Sequence, residues 1–311
     1  MKIFILYAKE NWITDILFKE WVENNKELYT NNVNKADIIW ILSNYIIGQL
    51  PLHIYKQKKV ITTIHHITPW KVTQSQIQHF NILNEITDIF HTNQKICKNT
   101  LEKYVSKPIK VLPLWHNENI WFKNSSLNLR KKYNLDKNSF IVGSFQRDTE
   151  GAGISSGNYL PKKEKGPDIF VKAVVLLKNK YPNLKVLLTG LRRQYIMKEL
   201  QKNNIEFYYF EMCDFTKLNE LYSCIDLYIV GSRVEGGPRA INECSLTKTP
   251  LLSTNVGIAE LLCYPDSIFD MNDINTILNC KTDAEFNYEK AQKYNIKNYM
   301  KEFSKQLFKK I

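Results

Sequence analysis

Glu235-Gly236-Gly237-Pro238-Arg239-Ala240-Ile241-Asn242-Glu243 follows closely on the apolar run Leu227-Tyr228-Ile229-Val230. This order reads as strand, glycine-rich turn, helix. Pro238 is expected at the first helical position, where its missing N–H costs nothing. The glycines let backbone approach a ligand closely, and the N–H groups at a helix start attract phosphate. One carboxylate then lies in the loop and the other inside the first turns of the helix. Such a site suits a nucleotide sugar: carboxylates accept hydrogen bonds from sugar and ribose hydroxyls, and the helix end holds the diphosphate. The plainer reading is that Glu235 and Glu243 are solvated charges favoured near a helix start by its dipole.

Outward from this stretch, short apolar segments alternate with helical patterns. In the second half the expected strands are Phe140–Gly143, Lys185–Thr189, Glu206–Tyr209, Leu227–Val230 and Leu251–Ser253. The expected helices between them are Pro167–Asn179, Gln194–Asn203, Lys217–Cys224 and Pro238–Leu246. The first third repeats the theme, with strands at Lys2–Tyr7, Ile38–Leu42, Val60–Ile64 and Ile89–Thr92 and a helix at Ile13–Asn24. Continuous apolar strands separated by helices indicate a parallel sheet covered on both faces. The polar stretch Lys123-Asn124-Ser125-Ser126 precedes the new strand, so the spacing predicts a Rossmann-like domain over 1–124 and a second over 125–284. Residues 285–311 read as helical and are expected to pack back towards the first domain. Glu150–Lys165, with Gly151, Gly153, Gly157 and Pro161, reads as a long loop.

The chain has 311 residues, 44% hydrophobic and 12% aromatic, enough for two ordinary cores and against wholesale disorder. Six dispersed cysteines without a CxxC pair suggest reduced thiols rather than a disulfide frame or zinc site. The apolar start is too short for a signal peptide, and the longest apolar region, Ala36–Leu50, is interrupted by Ser43-Asn44. The expected location is therefore cytoplasmic. A net charge of +12 admits phosphorylated substrates, an anionic membrane surface or nucleic acid. The basic residues are scattered, with mild clusters at Lys56–Lys59, Arg130–Lys132 and Lys309-Lys310, so nucleic acid ranks last.

Four stretches resemble the retaining GT-B glycosyltransferases of family 4, the glycosyl transferases group 1. They are Ile141-Val142-Gly143-Ser144-Phe145-Gln146-Arg147, Glu164-Lys165-Gly166-Pro167-Asp168, Leu187-Leu188-Thr189-Gly190, and the block from Tyr222 to Leu261. The resemblance covers 140–262 and implies an α/β GT-B fold, two Rossmann-like domains facing a central cleft and closing on the substrates. It implies that Glu235 contacts hydroxyls of the donor sugar and that Glu243 binds the ribose hydroxyls. Arg147 and Lys165 would hold the diphosphate and stabilise the leaving group, helped by backbone groups of Gly236, Gly237, Arg239 and Ala240. His65, in Thr63-Ile64-His65, is similar to the family histidine facing acceptor and sugar, with His66 as the alternative. Phe210–Cys213 lies where the family often touches the base. The sequence departs from the family in having Gly237-Pro238 in place of an aromatic–Gly pair, and Tyr7-Ala8-Lys9-Glu10-Asn11 in place of a glycine-rich loop.

The activity so implied is transfer of a sugar, with retention, from a nucleotide-diphosphate sugar to a saccharide or lipid-linked glycan. The setting would be surface polysaccharide or lipopolysaccharide synthesis, with peripheral contact to an anionic membrane as a compatible addition. No cofactor is expected. Asp148-Thr149-Glu150 and Asp283-Ala284-Glu285 resemble metal sites only faintly, and no D-x-D occurs, which disfavours a metal-dependent GT-A enzyme. Two alternatives stand beside this reading: a GT-B-fold sugar-nucleotide epimerase, and a non-enzymatic basic binding module. The two glutamates argue against the last, because carboxylates repel phosphate backbones.

Overall fold

The computed structural model describes residues 1–10, 13–124 and 126–309. Asn11 of the first loop, Ser125 of the expected interdomain stretch and Lys310 of the basic tip lie outside the described residues. The chain divides into two compact units, Met1–Trp115 with Ile296–Ile311, and His116–Asn295.

The first unit runs β1 (Ile3–Leu6), α1 (Ile13–Asn24), β2 (Ile38–Ile41), α2 (Leu52–Lys56), β3 (Lys59–Thr63), α3 (Gln74–Ile86), β4 (Ile89–Thr92), α4 (Lys95–Leu101) and β5 (Ile109–Val111). All five strands are parallel, in the order β1-β2-β3-β4-β5. Both sheet faces are covered, which explains why the strands are apolar throughout rather than alternating. One face packs Leu6, Ile39, Ile41 and Val60 against Phe80 and Leu83 of α3. On the other, Trp21 and Trp40 meet edge to face at 5.8 Å, and Trp40 meets Phe308 of the last helix at 5.4 Å. The Trp21 indole donates to Ser304 Oγ at 2.9 Å, fixing that helix to α1.

A buried polar chain crosses this sheet. Trp40 Nε1 donates to Thr63 Oγ1 (2.8 Å), Thr63 Oγ1 lies 3.0 Å from His91 Nδ1, and His91 Nε2 lies 2.9 Å from the Leu112 carbonyl. An indole can only donate and a carbonyl can only accept. The hydroxyl proton therefore goes to Nδ1, and His91 carries its ring proton on Nε2.

The second unit runs α5 (Ser126–Lys132), β6 (Phe140–Ser144), α6 (Pro167–Lys180), β7 (Leu184–Thr189), α7 (Gln194–Lys202), β8 (Phe207–Phe210), α8 (Phe215–Tyr222), β9 (Leu227–Val230), α9 (Arg239–Thr247), β10 (Leu251–Thr254), α10 (Ala259–Leu262), β11 (Ile268–Phe269) and α11 (Ala284–Gln292). Its six parallel strands lie in the order β11-β10-β9-β6-β7-β8. The chain winds outward from β6 to β8, then returns to β9 on the other side of β6. The loops after β6 and β9 therefore part at a topological switch point, where open α/β sheets bind ligands.

Several expectations need correction. The units divide at Trp115/His116, not at 124/125. The helical reading of 285–311 is broken: α11 ends at Gln292, and α12 (Ile296–Phe308) belongs to the first unit. Pro238 precedes α9 as its N-cap, with ψ 115°, and the helix begins at Arg239. Strands β5 and β11 were not expected; at 3 and 2 residues they carry no periodic signal. All six cysteines are free thiols. Among the described residues no helix is long and apolar enough to cross a membrane.

Burial pushes the pKa of His91 in the first unit and His116 in the second down to about 4. In the unfolded chain each ring titrates near about 6.5. The unfolded state thus binds more protons between these values, and stability is lost as pH falls through that window while it is intact above it. Thermal unfolding should show Tm decreasing from about pH 6.5 downward. His91→Asn should flatten the decline for the first unit; an unchanged slope would mean that the ring is not held neutral.

Candidate functional site

The loop after β9 and the turn before α6 are locked together by backbone. Gly166 has φ +56°, and a Cβ built there would lie 1.7 Å from the Gly231 carbonyl oxygen. The Glu164 carbonyl accepts from Arg233 N–H at 2.9 Å and Val234 N–H at 3.2 Å. The Arg233 guanidinium grips the Asp168 carboxylate through two bonds, 2.7 and 2.6 Å. This fastening brings Lys165 Nζ to 2.5 Å from Glu235 Oε1, on which Ser232 Oγ also donates at 3.2 Å. Gln146 Nε2 donates to the Lys165 carbonyl at 3.0 Å, tying in the loop after β6 that carries Arg147. Arg147 is half-buried, and burial first, then the charge of Arg192, lowers its pKa below the usual guanidinium value. An anion beside it would offset both effects.

At the start of α9 the turn is tight. Gly257 has φ +57°, and a Cβ there would meet Pro238 Cδ at 2.6 Å, so the loop before α10 can close on Gly237-Pro238 only with glycine at 257. The first N–H groups of α9, those of Arg239 and Ala240, have no acceptor within the helix. Glu243, one turn further on, is buried and accepts from Tyr222 Oη at 2.6 Å on Oε2. Arg239 Nε stands 3.6 Å from its Oε1. Burial raises the Glu243 pKa, opposed by the Arg239 charge and the Tyr222 hydrogen bond. The structure thus assembles Lys165 with Glu235 in the loops before α6 and after β9, and Arg239 with Glu243 in the first turns of α9.

Arg193 is a structural centre that the sequence does not reveal. It is fully buried and bonds the carbonyls of Ser144 and Thr189 at 2.5 Å each, Ser144 Oγ at 3.0 Å and the Asp148 carboxylate. The Arg192 carbonyl accepts from Asp148 N–H and Thr149 N–H at 3.2 and 3.0 Å. Thr149 Oγ1 in turn accepts from Tyr195 N–H at 2.9 Å in the first turn of α7. The loop bearing Arg147 is therefore pinned on both sides. Asp148 of the first D-x-E triplet is committed to this network, Asp283 of the second caps α11 through Phe286 N–H (2.9 Å), and Glu285 pairs with Lys248 (2.7 Å). Among the described residues no group of three or more His, Cys, Asp or Glu could hold a metal ion.

In the first unit, His65 stands two residues beyond the end of β3 and its Nε2 lies 3.0 Å from the Leu42 carbonyl, which places the ring proton on Nε2. Burial lowers its pKa. His66 is exposed. In the second unit Phe210 ends β8, with Lys217 Nζ 4.3 Å from its ring.

Residues 153–275 match the family model described as Glycosyl transferases group 1. That span contains Lys165, Glu235, Gly236, Gly237, Arg239, Ala240 and Glu243; Arg147 lies just ahead of it. The whole fold is similar to that of HepE from Anabaena in complex with UDP and glucose, at TM-score 0.78 and 15% identity over 99% of each chain. It is also similar to sucrose-phosphate synthase from Thermosynechococcus elongatus, at TM-score 0.70 and 18% identity over 97% of this chain and 80% of that one. A glycosyltransferase from Rickettsia africae gives TM-score 0.65 and 16% identity over 98% and 85%. No curated protein sequence matches. The protein has the GT-B glycosyltransferase fold, and its second unit carries the group 1 glycosyl transferase pattern.

Removing a partner from a buried ion pair strands the other charge, which costs about 3–5 kcal/mol. Arg193→Met should therefore destabilise the second unit by an amount of that order in urea unfolding. Arg233→Met, at a half-exposed pair, should cost much less. Equal losses would refute the central place of Arg193.

Proposed function

We propose that the protein is a retaining glycosyltransferase that moves a sugar from a uridine diphosphate sugar to a hydroxyl of a saccharide or lipid-linked glycan. The observation that carries this reading is the Lys165–Glu235 couple, fastened beside the free end of α9 at the switch point of the sheet. The uridine donor is supported by the similar HepE structures with UDP and with UDP-glucose. In the reaction the bond from sugar C1 to the β-phosphate oxygen breaks and a bond from C1 to the acceptor oxygen forms on the same face. The acceptor proton passes to the departing phosphate oxygen, and UDP leaves.

Charge building on the diphosphate falls to Arg147, Lys165 and the N–H groups of Arg239 and Ala240, which assigns the task of a metal ion or cofactor to the protein itself. Glu235 takes hydroxyls of the sugar and Glu243 those of the ribose. Lys165 neutralises Glu235 before the donor arrives and turns its charge to phosphate afterwards. His65 of the first unit is assigned to the acceptor. A role in surface polysaccharide or lipopolysaccharide synthesis fits a cytoplasmic enzyme touching an anionic membrane. From Ile38 to Asn84 the first unit has Lys56, Lys58, Lys59 and Lys71 but no Asp or Glu, and it exposes Tyr45, Leu52 and Trp70.

UDP, GDP, ADP and dTDP should be compared for thermal stabilisation of the wild type and Glu243→Ala. A ligand at about 100 times its Kd stabilises by roughly 2.7 kcal/mol. UDP should raise Tm in the wild type and not in the variant, and Lys165→Ala should slow transfer by roughly 10²–10³. No shift with any nucleotide would overturn the donor reading, and donor turnover without acceptor would favour the epimerase.

A further inference from the structure

We infer that Tyr222 is a positioning residue for nucleoside selection: its hydroxyl fixes Glu243 in the orientation that distinguishes a ribose from a deoxyribose donor. This rests on the proposed role of Glu243 at the ribose.

Tyr222 ends α8 and is 1% exposed. Its ring is boxed by Phe145 at 4.7 Å, Tyr228 at 5.5 Å and Trp121 at 5.8 Å. Its carbonyl accepts from Thr249 Oγ1 at 2.9 Å, so both backbone and ring are held. From this fixed base the hydroxyl donates 2.6 Å to Glu243 Oε2. Burial, and then the charge of Glu243, lifts the phenol pKa well above its ordinary value, so it remains a donor at any working pH.

A glutamate side chain has three rotatable bonds and, when ionised, about four acceptor positions. Tyr222 occupies one of them. Arg239 Nε stands 3.6 Å from the other oxygen and takes up at most one more. The carboxylate keeps acceptor capacity for two donors on adjacent carbons, the pattern of a ribose diol. Loss of the Tyr222 hydroxyl removes the bond that holds Glu243 Oε2, and a closer pair with Arg239 would consume that capacity. The same ring box includes Phe145, two residues from Arg147, so the support under the ribose residue and the loop under the diphosphate are continuous.

The test is calorimetric binding of UDP and 2′-deoxy-UDP to the wild type, Tyr222→Phe, Glu243→Gln and the double variant. A hydrogen bond to a charged group sets the scale of discrimination at about 10- to 100-fold. The wild type should prefer UDP by that factor. Tyr222→Phe, which keeps the ring and its packing, should reduce the preference to a few-fold at most by weakening UDP and sparing 2′-deoxy-UDP, and it should add nothing in the Glu243→Gln background. Equal weakening of both nucleotides, or an unchanged ratio, would overturn the inference and leave Tyr222 a packing residue. A wild type that binds UDP without discriminating would overturn it by removing Glu243 from the ribose. A wild type that binds neither would overturn the donor reading as well.

Discussion

The second unit depends on a backbone contact that only glycine permits. Gly166 and Gly231 approach so closely that a single methyl group would overlap a carbonyl oxygen. Because they do, the Glu164 carbonyl can take two N–H groups from the loop after β9, and the ammonium of Lys165 meets the Glu235 carboxylate although 70 residues separate them in the chain. The ion pair is a consequence of the backbone fit rather than its cause. A flexible lysine on a loosely held loop would lose its side-chain entropy for little return.

Around this contact the unit buries a charged group and surrounds it with partners. Arg193 joins the ends of β6 and β7 to the loop that carries Arg147, and every carbonyl it meets would otherwise face the interior at a strand end. A guanidinium suits the place because its planar fork can serve a carboxylate, two carbonyls and a hydroxyl at once, which an ammonium cannot. The first unit solves a similar problem without charge, through the Trp40–Thr63–His91–Leu112 chain. In both units the polar centre lies at the strand ends from which the candidate site residues project, so rigidity is concentrated where positions matter most.

The electrostatics follow the same division. Among the cations near the switch point, Lys165 meets the Glu235 carboxylate and Arg147 feels the charge of Arg192. In the proposed reaction both would face the diphosphate. Arg239, by contrast, opens α9 and stands 3.6 Å from Glu243 one turn on.

The amino-acid sequence by itself determined the architecture. Continuous β-branched strands, helices of matching length and breakers between them specify covered parallel sheets, and β4, β9 and α1 begin and end where their residues require. It also marked Glu235, Glu243 and the turn between them, because glycines, a proline and paired acids at that spacing have a local cause. What it could not contain was the pairing of distant groups. Nothing local distinguishes Arg193 from Arg192, yet one is fully buried and the other exposed. Nothing local assigns Tyr222 to Glu243, or shows that the helical tail is divided between two units. Those outcomes depend on which strand ends become neighbours across the sheet order, a property of the packed chain, and only the tertiary structure decided them.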